Sequence, residues 1–227
     1  AVLDASGLLS LDQPQVTFER LTSQFVAGEH RDSTNPFISE LQVADVFPLI
    51  LDDPLNQICG VCINVEADDP GSLSIRLRAP SGEVLSLSDF NGGAGSDFIQ
   101  TCFEPAAVQP IGSGAPPFSG TFQPDGNWPA LAGADLNGAW QLLLVDSSGQ
   151  SPPPRLLGWS LCLQAENQVS YQWTAAGSLS CTDCPAPQAF PQTNTTYIVE
   201  AEDTYGCNSL DTVQGNVQSI QIPFGPD

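Results

Sequence analysis

The stretch PFSGTFQPDGNWPALAGADLNGAWQLLLVDSSGQSPPPRLLGWSLCL, Pro117 to Leu163, decides how the rest of the chain is read. Two apolar runs within it, Ala139 to Val145 and Gly158 to Leu163, each carry a Trp among β-forming residues, and each is expected to be a strand. Gly133, Asp135, Asn137 and Gly138, and then Asp146 to Pro154, are residues that supply positive φ, fixed φ or local side-chain hydrogen bonds. They break the run into turns, so the pattern is all-β. Large aromatics at inward positions of such strands are core residues as a rule. Trp140 and Trp159 are therefore assigned to the core. Trp128 lies in the turn-rich segment GNWP and is expected to be exposed, which makes it the candidate for ligand contact.

Outward from this stretch, short strands are expected at Ile38 to Val43, Phe47 to Leu51 and within Ile63 to Leu87, INVEADDPGSLSIRLRAPSGEVLSL. A glycine-rich loop follows at Asn91 to Phe103, NGGAGSDFIQTCF. With PFSGTFQPDG (Pro117 to Gly126), GADLNGAWQLLLVD (Gly133 to Asp146) and LLGWSL (Leu156 to Leu161), these segments resemble the P-domain. This is the jelly-roll β-sandwich that follows the catalytic domain of subtilisin-like proprotein convertases and occurs as a free-standing module in many secreted bacterial proteins. The resemblance covers about 130 residues, and it implies a β-sandwich over residues 36–164. Where the family often has His and Gly-Asp after the first strand, this chain has Glu66 and Gly71-Ser72.

After Gln164 the texture changes. Tyr171 to Val213 carries YQW, LSCTDCPAP, TTYIV, DTYGC and DTV in that order. These residues resemble the PKD-like or immunoglobulin-like repeats of Bacteroidota-type secreted and gliding-associated surface proteins. Such a module has about seven strands, whereas residues 165–227 offer only Val169 to Thr174, Thr195 to Glu202, Leu210 to Val213 and Val217 to Phe224. An incomplete sandwich leaves apolar surface and backbone edges exposed, a state that proteins avoid or use.

Residues 1–35 do not form a domain. They hold one clean alternation, with Val16 and Phe18 on one face, and a lone strand is not stable by itself. It must join the sandwich of its own chain or reach into a neighbour as a donated strand. The fold expected overall is a P-domain-like jelly roll, a smaller incomplete Ig-like β-sandwich and an extended N-terminal arm.

Composition narrows the function. Acidic residues number 26 against 5 arginines, no lysine and one histidine, for a formal charge of −21. Phosphate recognition needs a basic surface, so nucleic acid is not an expected partner, and anionic membranes are disfavoured likewise. No apolar run approaches the length of a spanning helix. The chain contains no Met, and Ala1 is read as the residue that follows a signal-peptidase cut. Seven cysteines beside a single histidine favour disulfides and a secreted, extracellular or cell-surface protein over a zinc site. Cys59 or Cys62 is expected to bridge to Cys102, and Cys181 to Cys184 across the tight Thr-Asp turn. An odd count leaves a thiol over, for which Cys207 is the candidate.

The metal candidate is the loop around Asp89, Asn91 and Asp97, whose oxygens, with backbone carbonyls, suit calcium. A catalytic site is not expected: the sole imidazole, His30, lies in the polar arm, and no nucleophile, zinc or phosphate-loop motif is present. The function expected is a non-catalytic extracellular subunit of a bacterial surface filament, its partner another copy of itself joined head to tail. An adhesin binding surface glycans, or accessory domains of a larger secreted protein, are the alternatives.

Overall fold

The computed structural model describes residues 3–5, 15–25, 35–93, 95–148, 152–166, 168–174 and 176–217. The chain divides into two compact units, one of residues 13–166 and one of residues 1–12 with 167–227.

The larger unit contains β1 (Gln15–Phe25), β2 (Phe37–Val43), β3 (Ile50–Leu51), β4 (Ile58–Glu66), β5 (Leu73–Arg78), β6 (Val84–Asp89), β7 (Phe98–Phe103), β8 (Phe118–Phe122), β9 (Ala134–Asp135), β10 (Gly138–Asp146) and β11 (Arg155–Gln164). They form a five-stranded sheet in the order β1-β11-β4-β7-β8 and a four-stranded sheet in the order β2-β10-β5-β6, with β3 and β9 as a small pair. All neighbours in the two sheets are antiparallel except β7 and β8. Alternate residues of both sheets meet in one core: Val61, Ile63 and Val65 of β4 with Ile75 and Leu77 of β5, Leu142 and Leu144 of β10, and Leu161 and Leu163 of β11. This is the sandwich solution to sheets that are apolar on one face.

Trp140 and Trp159 are both buried, as the strand pattern requires, and each satisfies its indole N–H. Trp140 Nε1 donates to the Leu136 carbonyl (2.8 Å) and Trp159 Nε1 to Ser39 Oγ (3.0 Å). The second bond joins β11 of one sheet to β2 of the other. The expected strand Phe47 to Leu51 shrinks to Ile50–Leu51. Pro48 has no N–H to give a ladder, and that segment runs as a bend.

The smaller unit holds β12 (Val169–Trp173), β13 (Thr195–Asp203) and β14 (Asn208–Gly215), an antiparallel sheet in that order. Period-2 burial puts Tyr171 and Trp173 of β12 with Tyr197, Val199 and Ala201 of β13 on one face, where they form a second core. The strand expected at Val217 to Phe224 lies outside the described residues from residue 218 on, as does His30.

The N-terminal residues are not one arm. β1 adds to the five-stranded sheet beside β11, with Val16 opposite Leu163 and Phe18 opposite Leu161, and both side chains pack on the sandwich core. The alternation that made Val16 and Phe18 candidates for an intersubunit strand thus fits the chain's own sheet. Residues 3–5, by contrast, belong to the smaller unit.

Candidate functional site

The second core draws on both ends of the sequence. Leu3 and Ala5 are 5% and 2% exposed and lie in the cluster of Tyr171, Trp173, Tyr197 and Val199. Their backbones run beside the segment that follows β12: Leu3 N–H donates to the Pro187 carbonyl (3.0 Å) and Ala5 N–H to the Pro185 carbonyl (2.9 Å).

That segment is shaped by its own bonds. Leu179 bridges Ala189, Ser180 N–H donates to the Gln188 carbonyl (2.9 Å), and Phe190 N–H donates to the Ser178 carbonyl (2.8 Å). At its tip the Cys181–Cys184 disulfide closes the turn. Trp173 ties this tip to the sheet: its backbone N–H donates to the Thr182 carbonyl (2.8 Å) and its Nε1 to the Cys184 carbonyl (2.9 Å). The result is a wall that presents the carbonyls of Pro185 and Pro187, to which Leu3 and Ala5 bond with their apolar side chains buried.

The other cysteines staple the sandwich. Cys62 bridges Cys102, directly opposite it on β7, and Cys59 bridges Cys162 on β11. Of the two partners expected for Cys102, Cys62 is the one bonded. The Cys59–Cys162 bond was not expected, because a pairing between strands 103 residues apart leaves no local signal. Cys207 is free and exposed at the turn between β13 and β14. These bonds belong to an oxidising compartment. Among the described residues no helix is long and apolar enough to cross a membrane.

Trp128 requires a correction. It is only 4% exposed, packed with Leu131 in a short 3₁₀ turn that lies against β6, and so it offers no ligand surface. The glycines and proline around it signal a turn but do not show that the turn folds back onto the sheet. Its Nε1 is buried without a hydrogen-bond partner among the described residues.

The metal candidates separate into two settings. The Asp89 and Asn91 backbone and side chain converge on Asp125, a residue the sequence did not single out: Asp89 N–H donates to Asp125 Oδ2 (2.7 Å), and Asn91 Nδ2 donates to the same oxygen (2.5 Å). The Asp89 carboxylate accepts from Ser74 Oγ and pairs with Arg76 (3.3 Å). Burial alone would raise this carboxyl, but the Ser74 hydroxyl and the Arg76 charge outweigh it and hold it below its ordinary range. Asp97 instead accepts the Ala67 N–H at Oδ1 (2.9 Å) and lines a cleft with Glu66, Asp68 and Arg155. Among the described residues no group of three or more histidine, cysteine or acidic side chains is arranged to hold a metal ion.

Fold and disulfides together define a stapled, all-β sandwich of the kind found in oxidising compartments. Residues 59–163 match the family model of the proprotein convertase P-domain, and this part of the chain is a P-domain. Among solved structures, the chain is similar to a chain in the crystal structure of the Aeromonas sobria serine protease in complex with its chaperone, at 18% identity and a TM-score of 0.39. It is likewise similar to the crystal structure of the serine protease of Aeromonas sobria, at 17% identity and a TM-score of 0.37. Both alignments cover 67% of this chain and 27% of the other, so the chain spans about a quarter of the length of those proteins. No curated protein matches the chain.

Proposed function

We propose that this chain is a non-catalytic, extracellular structural subunit that joins other copies of itself head to tail by β-strand donation, building a bacterial surface fibre in which the P-domain is a rigid body. One observation carries this reading: the core of the second unit, a three-stranded sheet, takes Leu3 and Ala5 from a segment more than 160 residues earlier in the chain. A unit whose core takes in a segment so distant in the chain is the kind of unit in which that segment is exchanged between copies. Because the donating and accepting surfaces differ, the contact is heterologous and propagates unless the rotation closes it.

The absence of catalysis rests on inventory. The one imidazole, His30, has no nucleophile elbow in the sequence to serve, so the usual acyl-transfer arrangement is not assembled from recognisable motifs. Calcium enters this proposal as a shared counter-ion between acidic copies, with Asp89, Asn91 and Asp125 as the loop that would meet it.

The test is negative-stain electron microscopy of the unreduced full chain, at increasing ionic strength and with millimolar calcium, beside a variant lacking residues 1–12. Because β1 belongs to the sandwich, the deletion stops short of it. Fibres from the full chain that fail to form from the shortened one are the expected result. A full chain that stays dispersed under every condition overturns the proposal.

A further inference from the structure

We propose that Asn194 is an acceptor for N-linked glycosylation, and that the secreted chain carries an oligosaccharide on this side chain at the start of β13. The inference is independent of the assembly reading above.

The sequence supplies the pattern. Asn194-Thr195-Thr196 is an asparagine followed by a residue other than proline and then by a hydroxyl residue, the acceptor arrangement for N-linked sugar. Every other asparagine of the chain lacks Ser or Thr two places on. The disulfides belong to an oxidising compartment, which is also where proteins meet this modification.

A three-residue pattern is common, so the fold has to present it. Asn194 is exposed and stands immediately before β13. One bond orients its side chain across the end of the sheet: the Val217 N–H donates to Asn194 Oδ1 (2.8 Å). A backbone N–H can only donate, so the atom that receives it is the carbonyl oxygen of the carboxamide. Nδ2, the atom that takes the sugar, keeps both hydrogens and has no hydrogen-bond partner among the described residues. Attachment there leaves the bond from Val217 to Oδ1 in place. The product therefore fits the fold as well as the unmodified side chain does.

The hydroxyl residue is equally open. Thr196 is the second residue of β13 and lies on the solvent side with Ile198, Glu200 and Glu202, while Tyr197, Val199 and Ala201 enter the core. Thr195 is tied back by its own hydroxyl, which donates to the Thr193 carbonyl (2.8 Å) and leaves the Thr196 side chain clear. The same face exposes Ile198 by 39% and, opposite Glu200, Leu210 by 65%. A bulky hydrated group at its margin screens this apolar surface from solvent.

The covalent step is a transfer of sugar to nitrogen. Its donor is an oligosaccharide carried on a membrane lipid through a pyrophosphate, and a membrane-bound transferase catalyses it. A bond forms between Asn194 Nδ2 and the anomeric carbon of the first sugar. The bond from that carbon to the phosphate oxygen breaks, the lipid pyrophosphate leaves with the bonding pair, and Nδ2 gives up one of its two protons. Nothing is oxidised or reduced.

The test is mass spectrometry of the full chain as secreted by the cells that make it, with fragmentation of the peptide that contains Asn194. Four chains are compared: the parent, Asn194→Gln, Thr196→Ala and Thr196→Ser. The expected result is a mass increment of whole sugar residues on Asn194 in the parent, lost in Asn194→Gln and Thr196→Ala and retained in Thr196→Ser. Retention with serine separates recognition of the hydroxyl from an effect on folding, and equal unfolding midpoints for the four chains confirm that all are folded. An Asn194 peptide found wholly at its unmodified mass overturns the inference, and so does a sugar that persists in Thr196→Ala. Microscopy of the same samples distinguishes this inference from the assembly reading. Fibres built from chains with unmodified Asn194 leave the assembly standing and remove the glycan, whereas glycosylated chains that stay dispersed do the reverse.

Discussion

At the scale of single residues, burial and partners decide what each conspicuous side chain does. Trp128 illustrates this, since its large area lies in the core of the P-domain rather than at a ligand surface. Trp128→Ala is expected to cost about 3–5 kcal/mol of stability, the range for truncating a buried aromatic. Denaturant unfolding monitored by circular dichroism would show it, and a midpoint equal to that of the parent chain would contradict the buried assignment. Asp89 supports a prediction about pH. Its folded carboxyl lies below the ordinary value of 3.8, so its contribution is present above that value and is lost as the pH falls through the folded pKa. Asp89→Asn is therefore expected to flatten the loss of stability below about pH 4. The effect is small, because the group is more than a third exposed and solvent screens its pairing with Arg76. Unfolding midpoints measured from pH 3 to 6 for both chains check this, and parallel curves would count against it.

At the scale of elements, β1 is the instructive case. Its alternation was readable as a strand, but alternation carries no address: the same Val16 and Phe18 would suit the edge of any sheet with a free side. What assigns it to β11 is the match with Leu161 and Leu163 and the close approach that Gly158 permits. Gly158→Val is expected to push β1 off its edge, because the added side chain meets the Arg20 carbonyl oxygen and the Leu21 backbone. Hydrogen exchange should then show lost protection across residues 15–25 while β4 and β7 keep theirs. Unchanged protection in β1 would show that the strand tolerates the side chain. The disulfides fall on the same scale. The Cys181–Cys184 pair was legible because its loop is local; for Cys102 the sequence left Cys59 and Cys62 as alternatives, since both lie on or beside expected strands, and the register of β4 on β7 selects Cys62. Cys59–Cys162 needed the order β11-β4-β7, which no local pattern contains.

At the scale of the whole molecule, charge is the dominant property. A net −21 on 227 residues makes each copy repel the next over distances set by the ionic atmosphere. Under the proposed strand exchange, assembly increases between low and physiological salt, as the screening length falls from about 30 Å at 0.01 M to about 8 Å at 0.15 M. Light scattering at several salt concentrations measures it. Assembly that weakens as salt is added would show that attraction between charges, rather than strand exchange against repulsion, joins the copies.

The sequence by itself determined the class of fold. Turn residues at fixed places, alternating apolar runs and the cysteine count specified an all-β, disulfide-bonded chain, because these signals act within a few residues of one another; the P-domain was legible only through the resemblance of whole motifs such as PFSGTFQPDG and GADLNGAWQLLLVD to that family. It also determined that Trp140 and Trp159 are core, since inward alternation is a local property of a strand. Tertiary structure decided everything that depends on which distant segments meet. It buried Trp128, turned Asp97 toward Ala67 and away from the pairing of Asp89 and Asn91 with Asp125, and split the N-terminal residues between two units. The seat of Leu3 and Ala5 on Pro187 and Pro185 is the clearest case. Nothing near either end of the chain announces it, because a backbone bond between residues some 180 positions apart exists only once both have folded into place.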